Sequence, residues 1–293
     1  MKKIILVVLV FLITTSSNLM GQITIQSNEI YPVGMDKNIN ISNDFFMSNP
    51  IFVDDIAEGP NAIWNFSNLT TDFSRNLRVV YPNQSPFGAV IAANKVLLMD
   101  NGTIDSHYMI SSSGQIVSNG HINGTGIKSE KTPSEVLLKF PATYQQFEQN
   151  TYTDRIKFYV GMPLQTSYVV DSVRTVSTVE LTYLIDGWGT LTTPAGTFNV
   201  LRQQVYKATN SVSDFLRADT NQWVIGAEKS TTAERYFVFW SNTQNLPVLQ
   251  LRDIGDGGAL MISIGWQTLH CLMMILQQNS FQFHPILLQM KLQ

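Results

Sequence analysis

Short apolar runs separated by polar turns fill the chain from residue 22 to about 254. Val, Ile, Thr, Tyr and Phe dominate the runs, and Gly, Asn, Asp and Pro sit between them, the pattern of strands and their connections. The spacing predicts strands near Ile23–Gln26, Ala62–Phe66, Leu77–Tyr81, Val90–Met99, Ser106–Ser111 and Gln115–Asn119. Others are expected near Val136–Phe140, Thr153–Tyr159, Thr166–Thr175, Val179–Ile185, Gly189–Thr193, Phe198–Lys207, Gln222–Ile225, Glu234–Trp240 and Val248–Arg252. Asn101-Gly102, Asn119-Gly120, Asn123-Gly124 and Asp186-Gly187 read as turns, because these pairs accept the positive φ of tight reversals. Helical periodicity is nearly absent, Ser211–Leu216 being the one stretch that suits a helical turn or a loop. The expected architecture is all-β and antiparallel, a curved sheet or half-barrel or else a sandwich, with a possible sub-domain boundary near residue 130.

The two ends depart from this pattern. Met1-Lys2-Lys3, the apolar run Ile4–Ile13 and the small-residue site ending at Gly21 read as a secretory signal peptide, 1–21. The run is too short for a bilayer, which needs about 20 residues, so no stable membrane span is expected. In 255–293 the polar rhythm is lost, and from Ala259 onward the only charged residue is Lys291. The expected locale is therefore secreted or cell-surface.

Composition narrows the partners. With 14% charged residues, a net charge of −3 and no basic cluster after Lys3, a nucleic-acid face is not expected. Cys271 is the single cysteine, so stability has to come from burial rather than from an internal disulfide. Asp54 and Asp55 are adjacent and would point to opposite faces of a strand. Asp105, His107 and His121 lack the spacing and support of a metal centre and read as polar surface, so no cofactor or metal is expected. Tyr152, Phe158, Tyr159, Tyr168, Tyr236, Phe237, Phe239 and Trp240 read as core. No Gly-x-Ser-x-Gly elbow or paired-carboxylate signature appears, which points away from an enzyme.

The densest stretch runs from Tyr183 to Val205. A strand is expected to end at Ile185, with Asp186-Gly187 turning and Trp188 lying flat on a neighbouring backbone between Gly187 and Gly189. Pro194-Ala195-Gly196 then closes a hairpin. A phosphate cradle would need a helix after the glycines, and a strand follows instead. The structural motif is thus Asp186, Gly187, Trp188, Gly189, Pro194 and Gly196.

These residues, with Thr193–Phe198 and Val200-Leu201-Arg202, resemble a recurring family of secreted, uncharacterised β-rich proteins that carry a C-terminal type IX secretion sorting domain. Lys139-Phe140-Pro141 with Tyr144, and Tyr236–Trp240 with Leu246-Pro247-Val248-Leu249, resemble two further elements of that family. The likeness covers roughly Val136–Arg252 and implies export through the type IX secretion machinery, with an unknown extracellular ligand or protein as partner. The Thr193–Phe198 hairpin also resembles one in LolA-like proteins, where a curved sheet wraps an apolar cavity. The codons for Asn279–Gln293 can encode, in another frame, a segment containing Pro-Asn-Pro, similar to the start of the sorting domain. The tail is thus expected to be a frameshifted linker and sorting domain, the shift lying near Gly265, which would leave the chain periplasmic. The function expected is a non-catalytic binding module, the alternatives being a hydrolase with dispersed residues or an apolar-ligand carrier.

Overall fold

The computed structural model describes residues 22–41, 56–70, 73–162, 164, 166–253 and 260–263. The signal segment, Asp54-Asp55 and the tail with His270, Cys271 and His284 lie outside them. The described chain is all-β and folds as one curved sheet. Its strands are β1 (Asp36–Ile41), β2 (Gly59–Asn65), β3 (Phe73–Val80), β4 (Lys95–Met99), β5 (Asp105–Ser111), β6 (Gln115–Asn123) and β7 (Lys128–Lys139). They are followed by β8 (Phe147–Met162), β9 (Val170–Thr193), β10 (Gly196–Arg217), β11 (Trp223–Trp240), β12 (Leu249–Asp253) and β13 (Leu260–Ser263).

Neighbours follow the order β10-β11-β12-β13-β1-β3-β4-β5-β6-β7-β8-β9-β2, and β9 also pairs with β10. All pairings are antiparallel except β2 on β9. Among the described residues the curve is seamed at β1–β13 by one residue pair, Ile41 with Ser263. Residue 130 lies inside β7, and one inner cluster draws on residues from both sides of it, from Ile25 and Ile39 through Leu97, Leu138 and Leu181 to Trp240. Strand alternation puts every second side chain on this inner face, so ten strands, β1 and β3–β11, share one core.

Two outer patches are covered by loops and by β2. Val80, Val96, Leu98, Tyr108 and Ile122 lie under Ile91 and Phe87 of the β3–β4 connection. Leu191, Val200, Phe237, Phe239, Leu249 and Leu251 lie under Ile56, Ala62, Trp64 and Phe66.

Several expected breaks do not exist. β9 runs unbroken for 24 residues through what reads as three strands, and β11 for 18 through what reads as two. Ser211–Leu216 is strand within β10, held between Ser177–Ser172 on β9 and β11, so tertiary pairing overrides local propensity. Ile23–Gln26 contributes only an isolated bridge, Ile25 to Ala142. β1, a polar Asp36–Ile41 stretch, was not anticipated because only Ile39 and Ile41 turn inward. Tyr152, Tyr236, Phe237, Phe239 and Trp240 are core as expected, whereas Tyr159 is 74% exposed.

Candidate functional site

The Asp186-Gly187-Trp188-Gly189 segment is a bulge, not a turn. Gly187 opposes Arg202 and Ile185 opposes Gln203, leaving Asp186 as the extra residue. A bulge re-aims a side chain, and here it turns the Asp186 carboxylate onto Arg202. Nε and Nη2 of Arg202 donate to the two Asp186 oxygens, each at 2.8 Å, and Nη1 donates to the Ile56 carbonyl at 2.7 Å. The guanidinium also stacks 5.1 Å from the Phe237 ring centre. Burial raises the Asp186 pKa against the opposing pull of Arg202.

The two glycines serve β2 rather than Trp188. A Cβ on Gly189 would stand 1.9 Å from the Ala62 oxygen, and one on Gly187 3.3 Å from the Gly59 oxygen. Missing side chains therefore let β2 lie against β9. Trp188 is half-buried on the inner cluster. Pro194-Ala195-Gly196 does form the β9–β10 hairpin, with Gly196 at φ 135°.

Asp105, His107 and His121 are not on the surface. All three are buried, and their strand pairings place them on the inner face beside Leu97 and Met99. His107 and His121 oppose each other, their rings stacked 5.5 Å apart. Burial lowers the His107 pKa to about 4, with Lys131 adding to the effect. Burial raises that of Asp105 to about 7. Oδ1 of Asp105 and Nδ1 of His121 have no hydrogen-bond partner. Among the described residues no three His, Cys, Asp or Glu side chains are arranged to hold a metal ion.

Sequence reasoning missed the charged group beside them. Glu135 is clamped between Lys131 and Lys207. Burial would raise its pKa, but the two ammonium groups hold it well below the usual carboxylate range. Ser129 donates to Asp154 at 2.5 Å, and burial raises the Asp154 pKa. Two carboxylates of opposite tendency resemble an acid–base pair in kind. The void at Val136, Leu137 and Tyr236, next along the chain to Glu135, is about 10 Å³, space for roughly one water. The Ser129 proton is already engaged by Asp154, so the cluster is an internal polar brace. Its signal in sequence was the odd-numbered polar residues Ser129, Lys131 and Glu135 of β7, joined by Asp154 of β8 and Lys207 of β10 only once pairing set them on one face.

An open groove of about 170 Å³ lies elsewhere. Lys37–Asn40 of β1 form one wall, and Thr193, Pro194, Ala195 and Phe198 of the hairpin form another. Leu69 and Thr70 and the β11–β12 connection, Gln244 and Leu246–Val248, complete it. Two of the quoted sequence motifs, Thr193–Phe198 and Leu246–Leu249, thus meet in one place. Apolar Leu69, Phe198, Leu246 and Val248 adjoin polar Asn38, Asn40 and Lys37, the mixture a ligand site needs.

No protein-family model, curated protein or solved structure matches the chain.

Proposed function

We propose that this chain is an exported, non-catalytic β module that binds an extracellular ligand in the groove between β1 and the β9–β10 hairpin, and that it travels as type IX secretion cargo. The carrying observation is the convergence of the hairpin and Leu246–Val248 motifs on that groove, with both apolar and polar lining. An apolar carrier would need a hollow inner face, and here that face is filled by its own side chains from Ile25 to Trp240. A hydrolase would need a reachable nucleophile, and Ser129, Asp154 and Glu135 are tied to one another or to lysines. No helix among the described residues is long and apolar enough to cross a membrane.

The test is to screen the purified chain against panels of oligosaccharides and peptides, then to map any hit by amide chemical shifts. Ligand-dependent shifts at Lys37–Asn40, Thr193–Phe198 and Leu246–Val248 are expected. Turnover of a substrate abolished by Ser129→Ala or Asp154→Asn would refute the non-catalytic reading. Export is tested separately by expressing the chain with its tail restored to the alternative frame, which should move it from the periplasm to the cell surface.

A further inference from the structure

We infer that the groove accepts a peptide in extended conformation, added as a strand to β1, with an acidic group of the peptide set against Lys37. This rests on the groove being the binding site. β1 pairs along its whole length with β3, from Asp36 opposite Arg78 to Ile41 opposite Phe73. On its other edge, among the described residues, Ile41 alone is paired, with Ser263. Among the described residues the backbone of Asp36–Asn40 has no partner on that side, and it is this stretch that lines the groove. A strand edge is a row of alternating donors and acceptors, and the ligand that satisfies such a row is another extended backbone.

Side chains around the edge specify what that peptide carries. Successive residues of an added strand would point alternately to the two sides of the sheet. The groove lining offers Leu246, Val248 and Phe198, a place for an apolar side chain. The outward side of β1 is polar, with Asn76 donating to Asp36 and Asn38, and Ser74 to Asn40. Lys37 is the only cation of the lining among the described residues, and it donates to the neutral Gln244 amide oxygen at 3.4 Å. An ammonium group held by a neutral acceptor has charge left to pair, so a carboxylate on the peptide completes the fit. Sugars would use the polar groups but leave the row of edge amides unmatched, which is why the peptide is favoured.

The probe is a display library of random heptapeptides, panned on the full chain with counter-selection on Ala195→Trp, which fills the groove mouth. Circular dichroism confirms that this variant keeps the strand signal. Alternating apolar-polar sequences with one acidic residue are expected, and Lys37→Glu should invert the preference to a basic residue. A selected peptide N-methylated at alternate amides keeps its side chains but cannot pair with the edge, and should bind at least about tenfold more weakly. An N-methylated peptide binding within about twofold of its parent would overturn strand addition, as would selection that yields no groove-dependent sequences. Groove-dependent binding of oligosaccharides without peptides would sink the peptide assignment and leave the binding-module reading standing. Failure of every ligand to depend on the groove would remove both.

Discussion

Gly189→Ala is a one-methyl change that the fold should not absorb. The added Cβ falls 1.9 Å from the Ala62 oxygen and 2.6 Å from its nitrogen, and both are backbone atoms that no rotamer change can move. Gly189 has no positive φ, so backbone strain is not involved and the clash alone acts. β2 must lift, and with it go Trp64 and Phe66, at present 3% and 9% exposed and packed edge-on against Phe239 at 5.2 and 6.2 Å. Each buried aromatic side chain is worth about 1.5–3 kcal/mol. Full release of β2 thus costs ~3–6 kcal/mol, while a partial shift costs about 1–3 kcal/mol, as for an overpacked core. Urea unfolding followed by tryptophan fluorescence measures the loss directly. A larger loss accompanied by a smaller m-value would indicate that β2 is already undocked in the native variant. Gly114→Ala, where an added Cβ meets nothing within 4 Å, serves as the control and should stay within about 0.5 kcal/mol of the parent. If Gly189→Ala matches that control, the close approach of β2 to Gly189 is wrong.

Two further outcomes follow from the buried charges. Arg202→Ala strands the Asp186 carboxylate beneath β2 and should destabilise by about 3–5 kcal/mol, whereas the double variant with Asp186→Ala should recover part of the loss; additive losses in thermal or urea unfolding would contradict the pairing. Asp105 has its pKa raised from 3.8 to about 7 by burial. The folded chain therefore binds a proton that the unfolded chain releases, and this group's contribution weakens as pH rises from about 4 to 7. Asp105→Asn should gain stability over the parent between pH 5 and 8, reaching at most ~4 kcal/mol at about 1.4 kcal/mol per unit. His107 acts in the opposite sense, since its pKa is lowered to about 4: its contribution is complete above about 6.5 and lost as pH falls toward 4. A constant difference between Asp105→Asn and parent over that range would show that Asp105 is solvated.

Strand content was legible because branched and aromatic residues cluster between turn residues, and Pro194-Ala195-Gly196 says hairpin without help from the rest of the chain. The same vocabulary misled at Asp186-Gly187, where a bulge and a turn use the same residue types for the same reason, tolerance of irregular backbone. What decides between them is a partner strand, and β10 supplies it across the whole length of β9. Pairing likewise decides burial: His121 reads as a surface residue after Asn119-Gly120, yet lies inside because Ser129 and His107 flank it. The groove was half-visible, its two motifs quoted separately, but nothing local joins Phe198 to Lys37.

The parallel strand β2 also bears on the order of assembly. β8 to β11 form a run of neighbouring hairpins that close as soon as each turn is made. Ala62, by contrast, meets Gly189 only after the long intervening chain has been gathered in, and that search carries a loop-closure cost the hairpins do not. In pulse-labelled hydrogen exchange during refolding, amides of β9 and β10 should gain protection early and those of Ile63–Asn65 late. A chain halted between the two stages would show water the Phe237, Phe239 and Leu249 surface that β2 covers in the finished fold, the face by which such intermediates would adhere to one another.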